Sequence, residues 1–199
     1  MLMDTGGSHE KLTWNARALG VDLSELDAIF ISHWHGDHCG ALPELLRALG
    51  RGIPIFVPRA PGWLMRRELA SLGARLTEVR EPSELMPGVL STGDMGGEHS
   101  LVLRAEELGL VVITGCSHPG PGRIVQRALE AFGGPIHALI GGFHIHSYHE
   151  GLELGRLLSE LGLKLVCPCH CTGLRAKEGL RASFEGQVIQ CGVGRRIEL

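Results

Sequence analysis

Residues 32–38 read Ser-His-Trp-His-Gly-Asp-His, three imidazoles and one carboxylate set directly behind the apolar run DAIFIS at 27–32. Imidazole and carboxylate together are donors that suit zinc, iron or manganese. Gly36 gives the backbone the freedom for a tight turn, and the run ahead of it reads as a short buried strand. From such a turn His33 and His35 can address one ion while Asp37 and His38 emerge toward a second. Two ions about 3.5–4 Å apart would share a hydroxide. A solvated histidine-rich loop is the plain alternative for any one of these residues, but it accounts poorly for the whole set behind a buried strand.

The rest of the chain alternates strand and helix signals. Leu42, Leu45, Leu46 and Leu49 recur at helical spacing, with Pro43 in the first turn and Gly50 at the end. Strands are predicted at 53–58 and, weakly, at 76–79, with a helix at 63–72 stopped by Gly73. Runs at 101–104 and 110–114 flank EELG and predict a hairpin. Beyond it, Ile124, Val125, Ala128, Leu129 and Phe132 form one helical face, followed by a strand at 136–140. Two more helix–strand repeats follow, at 152–161 with 164–167 and at 174–184 with 187–191, and a last strand is expected over Arg196–Leu199. This is an α/β pattern, read as one domain over residues 1–199.

Each polar cluster stands just behind a strand: SHWHGDH, then GCSHPG at 115–120, GGFHIH at 141–146 and PCHCTG at 168–173. Side chains at strand ends of α/β sheets gather in loops that line ligand sites. His118, His144 and His170 therefore join the first cluster as candidates. His146 and His149 read better as the polar start of a helix. GPGR behind His118 suits an anion on the next helix terminus or a simple turn equally well. Trp34 must face away from the ligands or line the pocket, and Trp14 and Trp63 are expected in the core.

Composition narrows the classes. Hydrophobic residues make up 44% and charged residues 21% of 199, as in a globular protein with a core, and the formal net charge of -3 without a basic stripe disfavours nucleic acid. No apolar run approaches the ~20 residues of a membrane span, and MLMDTGGSHEKL has no secretory signature, so a cytoplasmic protein is expected. Accordingly the six cysteines are expected as reduced thiols, with Cys167, Cys169 and Cys171 too awkwardly placed to pair with one another. Cys167 and Cys169 read as small core residues and Cys171 as inert. Arginine outweighs lysine and Asn15 is the sole asparagine, which fits a thermophile or a GC-rich genome.

The motif HxHxDH in SHWHGDHCGAL resembles that of the metallo-β-lactamase fold superfamily, and Asp4 in MDTGG resembles its early aspartate, which holds the metal loop without binding metal. ITGCSHPGPGRIV, IGGFHI and PCHCTGLRA resemble the branch of 7,8-dihydropterin-6-methyl-4-(β-D-ribofuranosyl)aminobenzene-5′-phosphate synthase-like metallohydrolases. The resemblance runs from Asp4 through nearly the whole chain. It implies an αββα sandwich, shortened at the N-terminus, with His33, His35 and His118 at one metal and Asp37, His38 and His170 at the other. His144 would contact substrate or support a ligand. Two departures stand out. Where the superfamily carries an aspartate that bridges the metals, this chain reads Gly115-Cys116-Ser117-His118, so the bridge is lost or is replaced by Cys116 or His118. His99 stands near the usual position of the first site's third histidine, but GCSH fits the branch motif better. The second departure is the start at the DTG motif, which with the short 50–100 segment implies an open sheet edge that a second copy could cover.

The resemblance implies a hydrolase in which a metal-bound hydroxide attacks a phosphoryl or carbonyl centre, with Asp37 binding metal and orienting the nucleophile or relaying its proton. Two divalent ions, zinc ahead of iron or manganese, are the expected cofactors. The expected partner is a small molecule, a phosphoester or a pterin-related phosphate. Alternatives are a pterin-pathway synthase, a redox member carrying two irons, and a metal-binding protein without turnover.

Overall fold

The computed structural model describes residues 1–198 and divides the chain into two compact units. The first holds Met1–Arg80 with Gly93–His99, the second Glu81–Thr92 with the residues from Ser100 onward.

In the first unit, strands β1 (Leu2–Met3), β2 (Ile29–Phe30), β3 (Pro54–Val57) and β4 (Arg75–Glu78) form an all-parallel sheet in that order. Parallel neighbours need crossover segments, and these contain helices α1 (His9–Ala18), α2 (Gly36–Cys39), α3 (Leu42–Leu49) and α4 (Trp63–Ser71). The helix foreseen from the leucine spacing is α3: Leu42, Leu45 and Leu46 are buried against Ile29, Ile31 and Ile55. Gly50 ends it in the left-handed region, at φ 61°, where glycine has no Cβ penalty. Strand β2 is only two residues long, yet both side chains are fully buried because it is an inner strand.

The second unit carries β5 (Ser83–Met86), β6 (Val89–Ser91), β7 (Leu101–Ala105), β8 (Gly109–Thr114), β9 (Ile136–Gly142), β10 (Leu165–Cys169) and β11 (Gln187–Val188) in one sheet of order β11-β10-β9-β8-β7-β6-β5. Strands β5 to β8 form an antiparallel meander, including the expected hairpin around EELG. From β8 to β11 neighbours are parallel, connected through α5 (Pro121–Phe132), α6 (Tyr148–Glu160) and α7 (Leu174–Ser183). The C-terminal ends of β8, β9 and β10 therefore open on the same edge of the sheet, where three of the histidine-bearing loops begin. Helices α6 and α7 meet backbone to backbone: a Cβ on Gly179 would strike the Tyr148 carbonyl, and one on Gly151 the carbonyl of Ala176.

Helix α1 and the hairpin β5–β6 lie where the sequence reading assigned no element. Three expectations are corrected. Cys167 and Cys191 form a disulfide, so two of the six thiols are not reduced. Ile189 N donates to Val166 O at 2.8 Å, which carries the chain beside β10 and sets the two Cα atoms 5.7 Å apart, within bridging range. The last strand is absent at 196–198, and Leu199 lies outside the described residues. Trp14 and Trp63 are 70% and 67% exposed rather than core, because the outward faces of α1 and α4 carry them. Among the described residues no helix is long and apolar enough to cross a membrane.

Candidate metal centre

In the first unit the parallel pairing of β1 with β2 brings the residues just beyond each strand together. Asp4 N donates to Phe30 O at 2.8 Å, and the Asp4 carboxylate accepts from Ser32 N, Ser32 Oγ and His38 Nδ1, each at 2.7 Å. Asp4 thus ties the start of the histidine turn to its end. Thr5 reinforces the link, its N donating to His38 O at 2.7 Å and its Oγ1 lying 3.2 Å from the same oxygen.

These bonds fix which ring nitrogens carry protons. Ser32 gives its single hydroxyl proton to Asp4, so His33 Nδ1, 3.0 Å from Ser32 Oγ, must be the donor to that oxygen. The lone pair of His33 is then on Nε2, and His35 Nδ1 lies 3.0 Å from it. That spacing suits two ligands of one ion bound at ~2.0–2.1 Å. His38 likewise donates through Nδ1, leaving Nε2 3.6 Å from the Asp37 carboxylate. A lone pair facing a carboxylate needs a cation, either a proton on the ring or a metal ion. The donor chemistry fits divalent metal, and the outer hydrogen bonds to Asp4 and Ser32 are the kind that orient histidine ligands.

The electrostatics agree. Burial and the neighbouring His38 push His33 down to about 4 against the pull of Glu98 and Asp4, so its ring is neutral, as a ligand must be. His38 is opposed by burial, yet the hydrogen bond and charge of Asp4, helped by Asp37 and Glu98, raise its pKa.

His99 is committed to the fold. Its Nε2–H donates to Ile31 O at 2.9 Å, and its ring stacks on Phe30 at 3.9 Å between centroids. Burial lowers its pKa to about 4. As pH falls through ~6.5 the unfolded chain binds a proton that folded His99 refuses until near 4. Stability is therefore present at neutral pH and lost across that window, by about 3 kcal/mol. Urea midpoints at pH 7 and pH 4.5 should differ less for His99→Gln than for wild type; equal differences would show that this imidazole is not the sensor.

In the second unit three loops meet at the shared edge. Gly142 N donates to Gly115 O at 3.0 Å, Ser117 Oγ donates to Gly142 O at 2.6 Å, Phe143 N donates to Thr172 Oγ1 at 3.0 Å, and Gly173 N donates to Ile145 O at 2.9 Å. Cys116, His118 and His144 bring one ligand atom each within 4.8 Å of one another, and so do Cys116, His170 and Cys171. The His118 and His144 rings lie 4.8 Å apart between centroids. Among the described residues four other than glycine adopt positive φ: Asp4 (56°), Ser117 (59°), His144 (50°) and His170 (45°). Each stands within three residues of a strand's end, and such conformations cluster at functional sites.

The structure thus gathers His33, His35, Asp37 and His38 in the first unit, and His118, His144 and His170 around Cys116 in the second. His149 sits on the exposed surface of α6 and pairs with Glu153, while His146 precedes the Ser147 capping box, as expected of a polar helix start. Trp34 donates Nε1 to Arg59 O at 2.8 Å and packs against the core of the first unit. Ser32 and Glu98, the latter only 2% exposed, were not foreseen. Ser32 differs from any strand-end serine only by its place before His33. Glu98 was legible as an acid beside His99 in a glycine-rich stretch.

A family model described as the metallo-beta-lactamase superfamily matches residues 1–170. The chain is 26% identical over 246 positions to the 7,8-dihydropterin-6-methyl-4-(beta-D-ribofuranosyl)-aminobenzene-5'-phosphate synthase of Methanocaldococcus jannaschii, across 100% of this chain and 84% of that one. A ribonuclease Z of Listeria innocua is 36% identical over 80 residues, 38% of this chain and 26% of its own length. Among solved structures, Tm1679, titled a metal-dependent hydrolase of the beta-lactamase superfamily, superposes with a TM-score of 0.83 at 30% identity, covering 99% of this chain and 88% of its own. With its mixed α/β fold and its HxHxDH turn, this chain belongs to the metallo-β-lactamase superfamily.

Proposed function

We propose that the protein is a hydrolase dependent on two divalent ions, zinc in the first place, acting on a phosphoester or a pterin-related phosphate. In this reading His33, His35 and His118 hold one ion, Asp37, His38 and His170 hold the other, and His144 contacts substrate. The observation that carries it is the Asp4 carboxylate, which fixes His38 directly and His33 through Ser32 so that each ring donates through Nδ1 and keeps its lone pair on Nε2. Such outer partners serve to orient metal ligands and raise their basicity. When bound, the ions would acidify a water toward pKa ~7 and polarise the substrate oxygen. The chain's own contribution is to hold the imidazoles in one tautomer and to place the exposed Asp37 carboxylate where it can orient the nucleophile or accept its proton. A homodimer joined along an open strand edge belongs to the same reading.

A second reading has support in the M. jannaschii relative, named a synthase and matched across the whole chain. Elemental analysis followed by a screen of phosphodiesters, thioesters, lactones and pterin phosphates separates the two. Two zinc per chain with hydrolysis of one of these classes is the expected result. Bond formation with a pterin phosphate and no hydrolysis would establish the synthase instead, two irons would point to redox chemistry, and one ion or none to a protein without turnover.

A further inference from the structure

Cys116 belongs to both donor sets of the second unit: its Sγ lies within 4.8 Å of the ligand atoms of His118 and His144 in one and of His170 and Cys171 in the other. His118 and His170 are the histidines that the proposed function assigns to different ions, so one sulfur stands beside a ligand of each. The position is built. Cys116 stands two residues beyond the end of β8, is 4% exposed, and is followed by Ser117 at φ 59°, whose Oγ is anchored on Gly142 O. Gly142 leaves room for both cysteines, since a Cβ there would come within 3.4 Å of Cys116 Cα and 2.7 Å of Cys171 Sγ. Cys116 also occupies the place where the resemblance leads one to expect a bridging aspartate. A thiolate does that work with one atom, offering several lone pairs and binding zinc at ~2.3 Å. Two ions about 3.5–4 Å apart lie within the reach of a single sulfur at that bond length.

We infer that Cys116 is a metal ligand whose thiolate bridges the two ions in place of the aspartate, an inference that rests on the two-ion reading above. It also bears on metal choice, because a thiolate favours zinc over the harder manganese.

The test uses the full chain stripped of metal and reloaded with cobalt(II), and in parallel with zinc. The wild type is expected to take up two cobalt ions and to show a thiolate-to-cobalt charge-transfer band in the near ultraviolet. Cys171→Ser should keep the band and Cys116→Ser should lose it, together with at least the ~10–100-fold of metal affinity that an outer-shell change costs. Cys116→Asp, restoring a carboxylate bridge, should hold two ions without the band, which separates loss of a ligand from failure to fold. Two bound cobalt ions and no band in the wild type would overturn this inference alone. So would a band that survives in Cys116→Ser. A wild type that takes up no metal overturns it together with the reading it rests on.

Discussion

Asp37→Ala is expected to abolish turnover, by a factor of about 10²–10⁴, while leaving the fold unchanged. The two halves of that expectation come from the same placement. Asp37 stands in the first turn of α2 with 60% of its side chain exposed, so its removal leaves no cavity and its stability cost should fall within about 0.5 kcal/mol. Yet its carboxylate lies 3.6 Å from His38 Nε2, the nitrogen that holds the ring's lone pair when Nδ1 donates to Asp4. A carboxylate kept in water beside an imidazole lone pair contributes little to folding and much to holding a cation or moving a proton. The measurement is kcat/KM on whichever substrate the screen returns, alongside a thermal melt and the zinc content of the same preparation. Undiminished turnover in a folded variant removes Asp37 from the chemistry; a collapsed melt would mean that the α2 turn depends on it structurally.

The elements that the sequence announced are those whose side chains face one environment along their length. The leucines of α3 repeat at helical spacing because only one face meets Ile29, Ile31 and Ile55, and the pattern is readable without knowing what it faces. The hairpin around EELG and the three strand–helix repeats of the second unit were visible for the same reason. Helix α1 was not: Ala16 is its one buried residue, and Trp14 points to solvent, so its pattern carries little periodicity. Strand β5 is exposed or half-buried at every position, and its partner β6 spans three residues, too short for alternation to register. The disulfide is not legible in CPCHC, whose three neighbouring cysteines are poorly placed to pair with one another. The partner that counts, Cys191, is 24 residues away and becomes adjacent to Cys167 only through the β10–β11 pairing.

The candidate site was legible at its candidate ligands and opaque at what steadies them. Histidine spacing announces itself, and His33, His35, Asp37 and His38 meet as a strand-end turn predicts. Asp4 was legible through resemblance. That Ser32 relays the carboxylate to His33, however, depends on the parallel register of β1 against β2, a long-range fact. The positive φ at Ser117, His144 and His170 is equally invisible, because nothing in those residue types requires it.

Asp4→Ala should cost about 3–5 kcal/mol of stability, because each largely buried donor left without its acceptor costs about 1–3 kcal/mol. Three donors lose their acceptor at once, Ser32 N, Ser32 Oγ and His38 Nδ1, all held at 2.7 Å. Alanine must also sit at φ 56°, a conformation that disfavours a Cβ by ~1–2 kcal/mol and that asparagine tolerates better. Asp4→Asn therefore divides the structural role from the chemical one. Its amide oxygen can still accept from Ser32 N, so much of the stability returns. Its amide nitrogen is a donor, however, and His38 Nδ1 facing it must become an acceptor. The ring proton then moves to Nε2, the nitrogen that the proposed metal would use. Asp4→Asn is accordingly expected to fold, with a denaturation midpoint between those of Asp4→Ala and wild type, and to bind zinc ~10–100-fold more weakly, the range for a lost outer-shell partner. Urea denaturation of the metal-free protein and zinc titration of each variant read the two effects separately. An Asp4→Asn chain that binds zinc as tightly as wild type would mean that the carboxylate only fastens the turn and does not set the His38 tautomer.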